Sequence, residues 1–203
     1  VLLCDMATTK AVPVPFDLVG AGLSLVIADT RTPHTHSDSE YRARRESCER
    51  GAQLLGVDSL RAVQDDDHDS VLARLAAAGG SAEIVRRVRH ILTENARVLS
   101  VVERLRAGDV GGIGPILSAS HASMRDDFEI SVDRVDIAVE AALAGGALGA
   151  RMTGGGFGGC VVALTPDDRV DPVNAEIAAR FAAGDFSAPH LFTVTPSAGA
   201  HRA

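Results

Sequence analysis

The stretch Met152–Cys160, MTGGGFGGC, decides the fold of this chain. Five of the six positions from 154 to 159 are glycine, so the backbone there can adopt left-handed conformations and approach a ligand closely. Successive backbone N–H groups in such a loop can form a concave nest that attracts phosphate. The stretch therefore predicts either a phosphate-binding loop or a glycine-rich hairpin between two strands.

The spacing Gly154-x-Gly156-x-x-Gly159 also matches the dinucleotide-binding fingerprint, but the sequence that follows excludes that interpretation. A dinucleotide loop opens into a helix, whose N-terminus holds the pyrophosphate. Here the loop opens into Cys160–Thr165, CVVALT, an apolar run that predicts a strand. We therefore expect Ala147–Thr153, the glycines and Cys160–Thr165 to form a strand–loop–strand unit.

The composition is typical of a soluble globular protein. The chain has 203 residues, of which 46% are hydrophobic and 23% charged. Its net charge of −7 argues against nucleic acid or an acidic membrane surface as a partner. No apolar run approaches the roughly 18 residues that suggest a membrane-spanning helix. The cysteines at positions 4, 48 and 160 lack CxxC spacing and favour a reducing, cytoplasmic environment.

Two further features narrow the class of protein. The only lysine, Lys10, has no glycine-rich turn around it, which excludes a Walker-type phosphate loop in this stretch. The chain starts at Val1 inside an apolar segment, and we therefore expect it to be a fragment of a longer protein.

The remaining pattern predicts an α+β domain in which one antiparallel sheet is backed by helices. Besides the two strands that flank the glycines, strands are expected over Val1–Asp5, Gly22–Asp29 and His190–Thr195. The order from residue 110 onward is helix, strand, strand, helix, strand, which is typical of a layered domain.

The helices are predicted from caps and apolar periodicity. Ser37 and Glu40 have capping-box spacing and begin a helix that ends at Leu55. Ser131 is expected to cap another helix, which runs to Leu143. The other expected helices are about Ala82 to Arg106, the second half of 110–123, and Val173–Ala183.

Two clusters suggest metal binding, and for each we favour a structural interpretation. The run Asp65–Asp69 contains four acids, but it lacks the glycine and the distant glutamate of a calcium loop, so a solvated helix start or loop is favoured. His90 and Glu94 lie one helical turn apart without a second histidine, which favours a hydrogen-bonded pair over a zinc site.

Several longer motifs, together with the glycine loop, resemble the C-terminal half of galactokinases, within the GHMP small-molecule kinase superfamily. The glycine loop by itself indicates only the superfamily, whereas the two segments around residues 39–45 and 120–131 narrow the resemblance to galactokinases. It extends over essentially the whole chain. The motifs are Asp29–His34 (DTRTPH), Ser39–Arg45 (SEYRARR), Arg89–His90 with Glu94, Ser120–Ser131 (SHASMRDDFEIS) and Arg151–Cys160.

The resemblance implies a two-domain, Mg²⁺-assisted kinase that transfers the γ-phosphate of ATP to the 1-hydroxyl of galactose. It implies the GHMP C-terminal domain, with a ferredoxin-like core, over residues 22–203. Residues 1–21 would then finish the N-terminal domain or form the crossover. The catalytic aspartate, the principal phosphate loop and the Mg²⁺ ligands are expected upstream of residue 1, in an N-terminal half that is the partner of this chain. Asp5 is not assigned the role of catalytic base.

Two sets of site residues are carried over from the resemblance. Tyr41 matches the tyrosine that faces galactose; without the resemblance, packing at the start of a helix would be the favoured role. Thr153 with Gly154–Gly156 matches the loop that lies against the nucleotide phosphates, where backbone N–H donors can stabilise charge. Arg151 is interpreted as a structural ion pair at least as readily as a phosphate clamp.

The chain departs from the galactokinase pattern at a few positions. Pro33 stands just before His34, at a position where many members carry a basic residue. This difference puts the catalytic rate and the choice of sugar in question. Phe128 and Val132–Arg134 also differ from the common residues, in a supporting region. Two alternatives stay open: a non-catalytic galactose- and ATP-binding sensor on the same scaffold, and a GHMP kinase for another sugar.

Overall fold

The computed structural model describes residues 1–32 and 37–196. The strands are β1 (Leu2–Asp5), β2 (Lys10–Pro13), β3 (Leu23–Asp29), β4 (Gly149–Thr153), β5 (Cys160–Pro166) and β6 (His190–Val194). The α-helices are α1 (Ser37–Leu55), α2 (His68–Ala77), α3 (Ala82–Arg106), α4 (Gly114–Ser123), α5 (Asp133–Gly145) and α6 (Val170–Ala183). A π-helical turn, Met124–Phe128, follows α4 directly, and short 3₁₀ turns occur at 60–63, 111–113 and 167–169.

The main sheet has the strand order β4-β5-β3-β6, and every neighbouring pair is antiparallel. Strand β3, which comes first in the chain, lies in the interior of this sheet because its sequence LSLVIAD is apolar nearly throughout. The hairpin β4–β5 forms one side of the sheet, with Thr153 opposite Cys160 across the glycine loop. This arrangement confirms the predicted α+β fold.

Helices α5 and α6 cover one face of the sheet. Side chains at alternating positions of the strands, such as Val26 and Val161, join the same core cluster as Val135 of α5 and Phe181 of α6. All four are essentially buried, so this interface supplies the main hydrophobic stabilisation of the domain. The predicted helical layer over the sheet is therefore confirmed.

The other strand positions contribute to a second cluster, in which Leu23 and Leu164 contact Val102 and Leu105 near the end of α3. The segment before β3 adds Leu18 to this cluster. Strands β1 and β2 form a separate two-stranded antiparallel ribbon. A domain boundary near residue 21 stays a prediction.

Helices α1, α2 and α3 form a third cluster that lies beside the sheet domain. Its centre contains Val71 and Leu75 of α2 with Val88 and Leu92 of α3. Gly51 permits α1 to approach α3 closely, because a Cβ at that position would lie 2.5 Å from a methyl carbon of Val88. These contacts fix the position of α1 relative to the long helix α3.

Most element boundaries agree with the sequence predictions, and α3 spans Ala82–Arg106 as predicted. The acidic run forms a solvated helix start as expected: Asp67 caps α2 by accepting a hydrogen bond from the Ser70 amide at 2.9 Å. The prediction that Ser131 caps α5 is wrong. Val132 occupies that cap position without a side-chain hydrogen bond, and α5 begins at Asp133. The side chain of Ser37 lies outside the described part of the structure, so the capping box stays a prediction.

Candidate functional site

The glycine run forms the connection between β4 and β5, as predicted. Gly154, Gly156, Gly158 and Gly159 have φ angles between +94° and +133°. Residues that carry a Cβ rarely adopt such conformations, so the backbone path requires glycine at these positions. Gly155 is the exception in the run, because its φ is not positive.

One side of the loop packs closely against the rest of the domain. A Cβ added at Gly156 would lie 2.8 Å from the Cβ of Ile130, and one added at Gly158 would lie 3.2 Å from Thr32. The backbone N–H of Phe157 donates a hydrogen bond to the carbonyl oxygen of Ile130 at 2.7 Å. The segment that precedes α5 therefore fixes the inner side of the loop.

The other side of the loop is open. Thr153, Gly154 and Gly155 are exposed, and a Cβ built at Gly154 or Gly155 would lie more than 4 Å from every described residue other than its two neighbours in the chain. A ligand can thus approach the backbone of these residues without meeting a side chain. Exposed glycine backbone of this kind is suited to anionic groups, since peptide N–H dipoles carry partial positive charge.

Helix α4 holds the outer edge of β4, the strand that leads into the loop. The N–H of Ala150 donates to Oγ of Ser118, and the N–H of Met152 donates to Nδ1 of His121, both at 3.3 Å. Because Nδ1 accepts, the proton of His121 is on Nε2, which donates to Asp136 at 3.1 Å. These bonds fix the end of β4 one residue before the loop.

Tyr41 lies in the first part of α1, and its side chain is 58% exposed. The packed cluster of this helix is built from residues farther along it, including Cys48 and Ala52. The exposed position disfavours the interpretation of Tyr41 as a residue that seals the core. One turn after Tyr41, Arg44 extends toward the segment before α5, where its Nε donates to the carbonyl of Phe128 at 2.8 Å.

A buried arginine from α3 also contacts that segment. Arg87 is only 1% exposed and donates to Oε2 of Glu129 at 2.6 Å. Arg86 donates to the other carboxylate oxygen of Glu129 at 3.0 Å. The hydrogen bond from the Arg87 guanidinium is the main cause that lowers the pKa of Glu129, and the positive charge of Arg86 lowers it further. The sequence alone does not predict these contacts, because arginines at helical spacing usually indicate a solvated face.

Arg151 forms a structural ion pair, as anticipated. Its Nη1 donates to Oε1 of Glu94 at 2.9 Å. Glu94 also accepts hydrogen bonds from Ser120 and Arg97. Burial raises the pKa of Glu94, but the Ser120 hydrogen bond and the Arg151 charge outweigh that effect, so the pKa lies below its usual value.

The hydrogen bonds of His90 and Glu94 differ from the predicted pairing within α3. Glu94 bonds as above, while Nδ1 of His90 lies 3.0 Å from Oγ of Ser123. The Ser123 hydroxyl donates to Asp127 at 2.9 Å, so it accepts its other hydrogen bond from His90. The serine stands between the histidine and the carboxylate, and its proton is directed away from the histidine. The arrangement is therefore structural and does not activate a nucleophile.

His90 also stacks on Phe128, one of the positions that departs from the galactokinase pattern, with 4.5 Å between ring centroids. Pro33 and His34, another departure and its neighbour, lie outside the described residues.

Within residues 1–32 and 37–196, the His, Cys, Asp and Glu side chains form no group of three or more that could hold a metal ion. The acidic run is engaged in local contacts, such as that between Asp66 and Arg74 at 3.6 Å. No helix in the described part of the chain is long and apolar enough to cross a bilayer.

Comparison with known proteins agrees with this geometry. Residues 101–183 match the family model described as GHMP kinases C terminal. The chain is 50% identical over 201 residues to a galactokinase of Streptomyces coelicolor, covering 99% of this chain and 51% of that protein. It is 49% identical over 174 residues to a galactokinase of Mycobacterium tuberculosis, covering 85% of this chain and 46% of that protein.

A solved structure gives the same result. The crystal structure of Lactococcus lactis galactokinase complexed with galactose superposes with a TM-score of 0.84 at 27% identity, covering 95% of this chain and 49% of that one. Residues 101–183 thus match the C-terminal domain of GHMP kinases, and the fold of the chain resembles that of a solved galactokinase. Its sequence is similar to that of galactokinases, and the chain spans about half the length of the relatives it matches.

Proposed function

We propose that this chain is the C-terminal part of a galactokinase, which transfers the γ-phosphate of ATP to the 1-hydroxyl of galactose. The observation that carries the proposal is the similarity to galactokinases over 99% of the chain. The open glycine loop at the end of β4 supports it, because a kinase needs a surface where phosphate groups meet hydrogen-bond donors without steric hindrance.

In this proposal the loop of Thr153 and Gly154–Gly156 lies against the phosphates of ATP, and Thr153, Gly154 and Gly155 form its open side. Phosphoryl transfer requires positioning and charge stabilisation more than covalent participation by the protein. Backbone N–H groups can supply both, since they are held by the strand and are not free to reorient. The bonds from Ser118 and His121 to the edge of β4 support this role by fixing the strand.

Tyr41 is proposed to contact galactose. Its exposure leaves the ring and hydroxyl available on the surface of α1. A tyrosine can pack its ring against the apolar face of a sugar while its hydroxyl bonds to a sugar hydroxyl. The arrangement of α1 and the loop is consistent with the two substrates lying on neighbouring parts of this domain.

The described residues contain no group of three or more His, Cys, Asp or Glu side chains that could hold a metal ion by themselves. Bound Mg²⁺ in kinases neutralises charge on the transferred phosphate. In this proposal the Mg²⁺ ligands and the catalytic base come from the other half of the protein, as the resemblance to galactokinases implies.

The test uses the full-length protein that contains this chain. Galactose-dependent release of ADP is measured, and the product is examined by ³¹P NMR for phosphate on the anomeric oxygen. Formation of galactose 1-phosphate supports the proposal. Galactose binding without ADP release indicates a sensor, and preferential turnover of N-acetylgalactosamine or arabinose indicates a kinase for another sugar. Either result rejects the galactokinase assignment.

A further inference from the structure

Glu129 is the point at which the segment between α4 and α5 turns toward the glycine loop. It ends the π-helical turn with φ +53° and ψ +53°, a left-handed conformation uncommon for residues other than glycine. A backbone held in such a conformation persists only where its surroundings fix it. The contacts around Glu129 show what fixes it here.

Arg44 of α1 supplies two of these contacts. Its Nε donates to the carbonyl of Phe128 at 2.8 Å, and its Nη2 donates to the carbonyl of Glu129 at 2.9 Å. Carbonyl groups at the end of a helical segment lack intrahelical partners, so the planar guanidinium caps two of them at once. Only 12% of the Arg44 side chain is exposed, and the bond to the Phe128 carbonyl is partly shielded from water.

The next residue, Ile130, transmits this arrangement to the loop. Its carbonyl accepts the 2.7 Å hydrogen bond from the N–H of Phe157. Its side chain occupies the space into which a Cβ of Gly156 would project. In addition, the guanidinium carbon of Arg44 lies 5.6 Å from the centroid of the Phe157 ring. Arg44 thus contacts the loop directly and also through Ile130.

We infer that Arg44 is a positioning residue that couples α1 to the glycine loop. It holds the backbone of Phe128 and Glu129 so that Ile130 anchors Gly156 and Phe157, while Tyr41 projects from the same helix one turn earlier. The helix that carries the proposed sugar contact and the loop that carries the proposed phosphate contact are thereby fixed to one another. The inference rests on the proposed function, because its consequence is stated for ATP and galactose.

The decisive comparison is between Arg44→Gln and Arg45→Gln in the full-length protein. Arg45 is the adjacent residue and has the same charge, but its side chain is 74% exposed and bonds to Glu49 on the same helix. Loss of charge-assisted hydrogen bonds in Arg44→Gln should raise KM for ATP by about 10- to 100-fold. Arg45→Gln should stay within about twofold of wild type. Equal effects of the two variants would overturn the inference.

A second variant, Arg44→Lys, separates charge from geometry. Lysine keeps the positive charge but cannot present the planar fork that reaches both carbonyls. Arg44→Lys should therefore resemble Arg44→Gln in its KM for ATP. Full recovery by lysine would mean that charge alone is responsible, and the positioning role would be wrong.

Amide hydrogen exchange provides a readout that does not depend on catalysis. In Arg44→Gln the Phe157 amide should exchange at least about tenfold faster than in wild type, while the Ala163 amide in the middle of β5 stays unchanged. Uniform acceleration of both amides would indicate general destabilisation and contradict a local role. If Arg44→Gln does not fold, amide exchange in the wild-type protein still tests the inference. A Phe157 amide that exchanges as fast as the Gly155 amide would show that the loop is not anchored.

The two proposals fail in different ways. A wild-type protein without galactose-dependent ADP release would reject the proposed function, and the exchange comparison would then decide the link from Arg44 to the loop. An active wild type in which Arg44→Gln and Arg45→Gln behave alike would reject the positioning role and leave the proposed function intact.

Discussion

The backbone N–H of Phe157 donates to the carbonyl oxygen of Ile130 at 2.7 Å, although 26 positions separate the two residues in the sequence. This bond lies at the boundary between two parts of the glycine loop that differ in packing. Gly156 and the residues after it are packed against the domain, whereas Gly154 and Gly155 remain open. The two parts should respond differently to substitution.

Substitutions at the neighbouring residues Gly155 and Gly156 should separate an effect on ATP kinetics from an effect on stability. Gly155 has open space around it and no positive φ, so Gly155→Val should leave the melting temperature nearly unchanged. The added side chain should still obstruct phosphate groups and lower kcat/KM for ATP by about 100-fold or more. Normal ATP kinetics in this variant would mean that the loop is only a connection between strands.

Gly156→Ala is the matched control for stability. Its φ of +94° and the 2.8 Å approach to Ile130 leave no room for a methyl group. The free energy of unfolding should fall by about 1–3 kcal/mol, measured by chemical denaturation. A variant as stable as wild type would contradict the close packing of the inner side of the loop.

Tyr41→Phe tests the proposed sugar contact. Loss of one neutral hydrogen bond, worth about 0.5–1.5 kcal/mol, should lower kcat/KM for galactose by about 2- to 13-fold and change that for ATP much less. Because the side chain is exposed, the melting temperature should not change. Unchanged galactose kinetics together with a lower melting temperature would favour a packing role.

The catalytic groups are expected outside this chain. Purified residues 1–203 should therefore show no galactose-dependent release of ADP above background, while the full-length protein is active. Turnover by the chain alone would mean that the catalytic base lies within it, and the assignment of site residues would then be wrong.

Acidification should destabilise the protein through His90. Burial is the main cause that lowers the pKa of His90, so the unfolded chain takes up this proton at a higher pH than the folded chain. The contribution of neutral His90 to the free energy of unfolding is fully present above about pH 6.5, the ordinary pKa of histidine. It is lost as the pH falls through the lower pKa of the folded state, by at most about 1.4 kcal/mol per pH unit. The free energy of unfolding, measured with denaturant, should decrease less between pH 7.5 and pH 5.5 for His90→Asn than for wild type. Equal decreases would contradict the prediction.

The cysteines should differ in reactivity. Burial raises the pKa of the Cys48 thiol to about 11, so at pH 8 about one molecule in a thousand carries the thiolate. Cys4 is exposed. Iodoacetamide followed by peptide mass spectrometry should modify Cys4 well before Cys48 in the folded chain, and both in denaturant. Equal rates in the folded chain would show that α1 does not shield Cys48.

The sequence predicted an element correctly where its local signals, such as helix caps and apolar periodicity, agreed with one another. Helix α3 has a serine cap at Ser81 and a regular apolar stripe, and its predicted and observed limits coincide. The glycine loop was recognisable because four of its glycines have φ angles that residues with a Cβ rarely adopt. The motifs from 39–45 and 120–131 identified the family, but their contacts could not be derived from spacing alone.

What the sequence could not show depends on contacts between distant segments. Ser131 looks like a cap, but the chain is held by the bonds of Ile130 and the contacts of Glu129, and the helix begins two residues later at Asp133. The π-helical turn before it has no distinctive spacing of apolar residues. Arg44 resembles any exposed helix arginine until its partners are known, since they lie 84 and 85 residues away.

The outer amides of β4 donate hydrogen bonds to Ser118 and His121, and these bonds also affect whether a further strand can pair with the sheet. They occupy donors that an incoming strand would need, so β4 is a poor template for pairing with another molecule. Helix α4 precedes β4 in the sequence, so a ribosome synthesises the covering helix before the edge that it protects. A nascent chain therefore already contains the means to block that edge when β4 emerges, which should limit misassembly during translation.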